Sequence, residues 1–233
     1  MQIAANYIRL REEIPDHVTI VLAGKTRSVE EIAAVIDAGA TDLGENYVQE
    51  AQRMRSHLAE KAAGVRWHMI GHLQTNKINK AIEVFDVVQT VDSMTKALAL
   101  ERRLDRARRE SMPIFIEINI GSEFTKAGLR PSDHEPFEPY MEQLVTEMAQ
   151  LRHLRIEGLM TMGPRFGDPE NSRPYFRRTR NLFDRLAALG QPNVQMRYLS
   201  MGMTNAYKVA IEEGANMIRV GTAIFGPRRC NQR

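Results

Sequence analysis

The chain has 233 residues, of which 43% are hydrophobic and 26% charged, a balance that fits a globular protein of one large α/β domain or two small ones and excludes a disordered chain. Its one cysteine, Cys230, excludes an intrachain disulfide and suits a reducing cytoplasm; early charges at Arg9, Arg11 and Glu12 speak against a signal peptide, and no apolar run reaches the length of a membrane span. A formal charge of +3 suits an anionic ligand or nucleic acid without requiring either.

Residues 2–13 read as a short amphipathic helix ending before Pro15. Val18-Thr-Ile-Val-Leu-Ala-Gly24 follows as an apolar strand that runs into Lys25, one of seven lysines among 32 basic residues. Ala23 and Gly24 would let a flat ligand lie close to the backbone there. An amine behind such a strand is a candidate nucleophile toward an aldehyde, because desolvation lowers its pKa; a solvated loop lysine is the plainer reading of the same position.

Ser28-Val-Glu-Glu31 has a capping-box pattern and opens a helix that buries Val29, Ile32, Ala33 and Ile36 and stops at Gly39. Ala40–Gly44 reads as a second strand, Tyr47 to about Ala63 as a helix, and Arg66–Gly71 as a third strand. Asn76–Phe85 is helical and Val87–Val91 a fourth strand. The helix from Ser93 to about Glu110 turns Arg102, Arg103, Arg106 and Arg109 outward. Strands at Pro113–Ile120, Arg155–Thr161, Gln195–Ser200 and Asn216–Gly221 alternate with helices at Pro136–Leu151, about Ser172–Leu189, and Asn205–Gly214. Eight strand and helix units of roughly 25 to 30 residues predict a closed (β/α)8 TIM barrel preceded by an extra N-terminal helix, with a doubly wound open sheet as the alternative. No composition break divides the chain, so residues 1–233 are expected to form a single domain.

Two turns carry anion-binding chemistry. The eighth strand ends at Gly221-Thr222, where a helical turn would present free backbone N–H groups beside the Thr222 hydroxyl. Ser200-Met-Gly-Met-Thr204 offers two hydroxyls and a permissive glycine next to it, although capping by Thr204 and a tight turn at Gly221 explain the same residues. In a closed barrel strand eight pairs with strand one. Lys25 and this anion site would then be neighbours, a spacing that fits pyridoxal phosphate, with its aldehyde at one end and its phosphate at the other.

Competing motifs fail on spacing. Gly24-Lys25-Thr26 lacks the earlier glycine of a phosphate-binding P-loop, since Thr19 stands there. His68 and His72 straddle a strand end and would lie too far apart to share a metal ion, so no metal is expected. The arginines at 177, 178, 180 and 185 could touch RNA, but the solvated outer face of a barrel helix accounts for them.

Gly24-Lys-Thr, Leu43-Gly-Glu-Asn-Tyr-Val-Gln-Glu50, Trp67-His-Met-Ile-Gly-His-Leu-Gln-Thr-Asn-Lys77, Val91-Asp-Ser93, Leu199-Ser-Met-Gly-Met203 and Ile218-Arg-Val-Gly-Thr-Ala-Ile-Phe-Gly226 together resemble the pyridoxal phosphate homeostasis proteins, the YggS or PROSC family. The resemblance runs from about residue 2 to 228 and implies the barrel of the alanine racemase N-terminal domain. It also implies pyridoxal 5'-phosphate held on Lys25 as a lysine aldimine, Arg219 facing the pyridine nitrogen, Ser200, Thr204, Gly221 and Thr222 on the phosphate, and Asn46 lining the ring pocket. Lys126 matches a lysine of the family's mobile loop, and Lys126 and Lys208 are candidate secondary acceptors. Ala23-Gly24 departs from the Val-Ser of many members, and Gly121-Ser-Glu-Phe from a Ser-Gly-Glu-Glu pattern.

The implied role is intracellular homeostasis of the cofactor, by buffering and delivery to apoenzymes, in a cytoplasmic monomer without nucleic-acid or membrane partners. A guanidinium beside the ring nitrogen disfavours its protonation and weakens the ring as an electron sink. Racemisation needs acid–base groups on both faces of the substrate carbon, and related racemases draw the second from a further domain; seven residues after Gly226 leave no room for one. A non-enzymatic handler is therefore expected, with a weakly active single-domain amino-acid racemase as the alternative.

Overall fold

The computed structural model describes residues 2–121, 123, 127–163 and 167–227. Eight parallel strands close into a barrel in sequence order: β1 (Thr19–Ala23), β2 (Asp42–Glu45), β3 (Arg66–Met69), β4 (Val87–Val91), β5 (Met112–Ile118), β6 (Leu154–Thr161), β7 (Val194–Met203) and β8 (Met217–Val220). Closure is made by β1 against β8, in the register Thr19↔Met217 to Leu22↔Val220, which decides between the barrel and the open sheet. The helices are α1 (Gln2–Glu13), α2 (Val29–Asp37), α3 (Val48–Leu58), α4 (Ile78–Val84), α5 (Met94–Arg106), α6 (Phe137–Met148), α7 (Arg173–Ala187), α8 (Tyr207–Glu212) and α9 (Thr222–Phe225).

Strand alternation sorts the core into two layers. Leu22, Leu43, Trp67, Ile114 and Ile116 belong to the large layer between barrel and helices, while Val21, Val87, Phe115, Met160 and Met217 form a small cluster inside the barrel. Trp67, Phe85 and Phe176 are fully buried in the outer layer, each contributing about 2–3 kcal/mol of apolar transfer. Helix α1 packs beside α2 and α9, and Asn6 donates to the Ile224 carbonyl at 2.9 Å, so the extra helix ties the start of the chain to its last turn.

The local signals hold where their chemistry is local. Ser28 accepts from Glu31 N while the Glu31 carboxylate accepts from Ser28 N, completing the capping box of α2, and Gly39 adopts φ +98 where that helix ends. The helix expected through Ala63 stops at Leu58 and continues as a 3-10 turn over Ala59–Ala62, with Ala59 at φ 47. Strand β7 runs three residues past Ser200, and its register against β8 shifts between Ser200 and Met203. Arg109 corrects the outward reading of that helix. Its guanidinium turns in to donate to the Ile82 and Phe85 carbonyls, capping the end of α4.

The arginines of α7 are paired with neighbouring acids. Arg178 meets Glu138 at 3.0 Å, Arg185 meets Glu142 at 2.6 Å, Arg177 meets Glu213 at 3.0 Å, and Arg173 contacts Glu170, Glu212 and Glu213. This face is a lattice of both signs between α6, α7 and α8, unlike the uncompensated basic stripe that a phosphate backbone requires. Among the described residues no helix is long and apolar enough to cross a membrane, and no group of three or more His, Cys, Asp and Glu is placed to hold a metal ion.

Candidate functional site

The β1–β8 seam builds the site. Arg219 stands in register with Val21, and both point into the barrel. Alternation along β1 then carries Lys25 to the inner side at the C-terminal mouth, since a side chain on Gly24 would face Ile32 and Glu45 in the outer layer. Sites in barrels of this kind lie at that mouth. Immediately after Lys25, Thr26 adopts φ 65, an outlying conformation for a β-branched residue, and Arg27 N closes the turn on Gly24 O at 3.0 Å.

Arg27 fixes this turn against the end of the chain. Its guanidinium donates to Phe225 O at 3.2 Å and Gly226 O at 2.8 Å and lies 5.2 Å from the Phe225 ring centroid. The lysine loop and α9 are thereby locked together. No side chain caps α9 at Gly221, so its first amides have neither an intrahelical nor a capping acceptor. Thr222 is exposed beside them, and Thr204 is half-buried after β7. These hydroxyls and amides are suited to an anion.

Asn46 follows β2, and its place is fixed by a close backbone approach. A Cβ on Gly71 would sit 2.4 Å from Asn46 O, so only glycine lets β3 end against it. The Gly71 carbonyl accepts from Thr90 Oγ1 at 2.8 Å. Gly24 plays a similar part, because a Cβ there would lie 2.6 Å from Glu45 Oε1. The departure from a Val-Ser pattern thus has a counterpart in the buried Glu45 carboxyl.

Ser200 is fully buried. Its oxygen accepts from Arg219 Nη1 at 2.7 Å and its hydroxyl donates to Gln89 Oε1 at 2.8 Å, so the side chain is already engaged inside the barrel. Arg219 Nη2 donates to Thr161 O at 2.7 Å. Burial lowers the Arg219 pKa to about 10, against the opposing charge of Glu117, and the group stays cationic at neutral pH.

Two acids that sequence reasoning missed stand close by. Glu117, on the inner face of β5, is pushed up to about 7 by burial, then by Asp92, with Lys96 and Arg219 acting the other way. Glu45 is pushed up to about 8 by burial, then by Glu50, with the Asn46 amide and Lys25 opposing. Glu117 Oε2 and Glu45 Oε2 are buried with no hydrogen-bond partner. The alternation Ile116-Glu117-Ile118 shows that this acid faces away from its neighbours, but only barrel closure makes that face an interior.

Lys208 is exposed on α8 and paired with Glu13 at 2.8 Å. The hydrogen bond to Glu13 raises its pKa, keeping it an ammonium rather than a free amine acceptor. Lys126 lies outside the described residues. Lys96, absent from the expected site, is buried with Nζ on Thr90 O at 3.0 Å and Asp92 Oδ1 at 2.8 Å, bracing the end of β4.

The seam unites a lysine, an inward guanidinium and an uncapped helical turn, an arrangement that suits an anionic ligand at the β1–β8 mouth of a parallel barrel. The alanine racemase N-terminal domain family matches residues 1–229, and the chain belongs to it. Within it the chain is 35% identical over 207 residues to a pyridoxal phosphate homeostasis protein of Aquifex aeolicus, covering 89% of this chain and 86% of that one. A pyridoxal phosphate homeostasis protein of Escherichia coli K12 is 33% identical, with 97% of each chain covered. PipY of Synechococcus elongatus PCC7942, solved with PLP bound, superposes with a TM-score of 0.84 at 32% identity, covering 97% of this chain and 100% of that one. An alanine racemase of Clostridium difficile 630 shares the fold, with a TM-score of 0.72 at 15% identity, this chain spanning 57% of that one.

Proposed function

We propose that this chain is a pyridoxal 5'-phosphate-binding protein of intracellular cofactor homeostasis, a single-barrel cytoplasmic monomer that takes up the cofactor reversibly, buffers it and passes it to apoenzymes. One observation carries the reading: Lys25 follows β1 and Arg219 lies on β8, the two strands of the closing seam, with the lysine loop locked by Arg27 to the uncapped α9 turn. The cofactor supplies an aldehyde that condenses with a lysine amine with loss of water. Lys25 is that amine in this reading. Thr222, Thr204 and the Gly221 turn hold the phosphate, Asn46 lines the ring pocket, and Ser200 holds Arg219.

The residues present suit the group. The unpartnered carboxyl oxygen of Glu117 inside the barrel and the uncapped α9 turn leave polar capacity open on the side of Arg219. Arg219 facing the ring nitrogen keeps that nitrogen unprotonated, so the ring is a poor electron sink. This favours holding the cofactor over turning over an amino acid. The names of the relatives, homeostasis proteins, support the same choice.

Titration of the apoprotein with pyridoxal phosphate, followed by absorbance, tests the reading. Wild type and Lys126→Ala develop the yellow band of a lysine-bound cofactor; Lys25→Ala does not. A wild-type protein that stays colourless overturns the reading.

A further inference from the structure

A continuous hydrogen-bond chain crosses the inside of the barrel below the site. It starts at Arg219 on β8, passes through Ser200 on β7 to Gln89 on β4, then His68 on β3, and ends at Asp42 on β2. The successive distances are 2.7, 2.8, 2.9 and 2.8 Å. Thr41 Oγ1 closes the far end by donating to Asp42 Oδ2 at 2.8 Å. All five members are at most 8% exposed.

The donors run one way. Ser200 Oγ accepts a hydrogen bond from Arg219 Nη1, so its own hydrogen is donated to Gln89 Oε1. That orients the Gln89 amide, whose Nε2 donates to His68 Nδ1 and lies 3.3 Å from Met217 Sδ. His68 is then the neutral tautomer with its proton on Nε2, given to Asp42. Reversing the amide would demand an imidazolium, which burial opposes by lowering the His68 pKa. Hydrogen bonds to His68 and Thr41 hold Asp42 below the usual carboxylate range despite its burial. The chain therefore has a cation at the site and an anion at its far end, with three aligned neutral groups between them.

Apolar side chains fill barrel interiors at less cost, as the neighbouring Val21, Val87, Phe115, Met160 and Met217 do here. Five buried polar groups in series contribute specificity of geometry when each is satisfied. We propose that Gln89, His68 and Asp42 are positioning residues for Arg219. They hold its guanidinium in one orientation through Ser200, with the Asp42 carboxylate anchoring the far end of the chain. The proposal rests on the reading that Arg219 faces the cofactor's ring nitrogen.

The test is a double-mutant cycle on the full-length protein, with Gln89→Met, Arg219→Lys and the pair, read by the pyridoxal phosphate dissociation constant and the absorbance maximum of the bound cofactor. Gln89→Met raises the dissociation constant about tenfold and shifts the band in the wild-type background. It changes neither in the Arg219→Lys background. Equal effects in both backgrounds, or wild-type values for Gln89→Met, overturn the proposal. A second arm needs neither variant nor cofactor: the ¹⁵N shifts of His68 in the apoprotein report a neutral ring protonated on Nε2. An imidazolium or the Nδ1–H tautomer there overturns the chain. If wild type takes up no cofactor, the functional reading fails, while the nitrogen shifts still decide whether the chain exists.

Discussion

Replacing Glu45 or Glu117 by glutamine removes a buried ionisable group while keeping its shape, and the structure sets the size of the effect. An ordinary glutamate at 4.5 is moved to about 8 at Glu45 and to about 7 at Glu117. At 1.36 kcal/mol per decade, the ionised form is disfavoured by about 5 kcal/mol at the first site and about 3 kcal/mol at the second. The folded chain binds these protons more tightly than the unfolded chain does. Their favourable contribution is complete below about pH 4.5 and is lost as pH rises through 7 and 8. His68, held below its usual 6.5 by burial, acts in the opposite sense and loses stability as pH falls, so the comparison must be with each variant. Urea unfolding of the apoprotein at pH 5 and pH 8.5 is the assay. Wild type loses stability between them relative to either glutamine variant, with at least about 1 kcal/mol of relief per site at pH 8.5 after water entry and local relaxation. Stability differences from wild type that are equal at the two pH values refute the assignment of both carboxyls as buried groups whose pKa is raised by burial.

Other outcomes follow from single contacts. Ser28→Ala removes one half of the α2 capping box and lowers stability by about 1 kcal/mol in the same unfolding assay, with little effect on cofactor affinity. Gly71→Ala places a methyl 2.4 Å from Asn46 O; the resulting backbone shift costs about 1–3 kcal/mol and weakens pyridoxal phosphate binding in the absorbance titration. The loaded wild-type protein leaves the α-deuterium of amino acids unexchanged above background by mass spectrometry; steady exchange would favour the racemase alternative.

Elements whose signals are local were legible before the fold was seen. The capping box at Ser28, the stop at Gly39 and the apolar run into Lys25 each follow from a few adjacent residues, and the eightfold alternation pointed to a barrel. The β1–β8 pairing followed from the expected closure, but its register, with Ile20 opposite Ile218, needed the structure. The interior polar chain was not legible for the same reason. Ser200 and Gln89 are 111 positions apart and His68 and Asp42 are 26 apart, so no periodicity joins them. His68 read as a failed metal ligand because its partners lie on other strands. Ser200 read as a phosphate ligand from its place before a glycine turn, whereas its buried hydroxyl is directed to Gln89. Arg27, which ties the lysine loop to α9, left no mark beyond being basic.

Borohydride reduction of the cofactor-loaded protein, followed by peptide mapping, tests the central claim most directly. The account predicts one pyridoxyl phosphate group per chain, on the peptide containing Lys25, with none on Lys96 or Lys208. Stoichiometric labelling on any other lysine, or a reduced protein that carries no label, would contradict it.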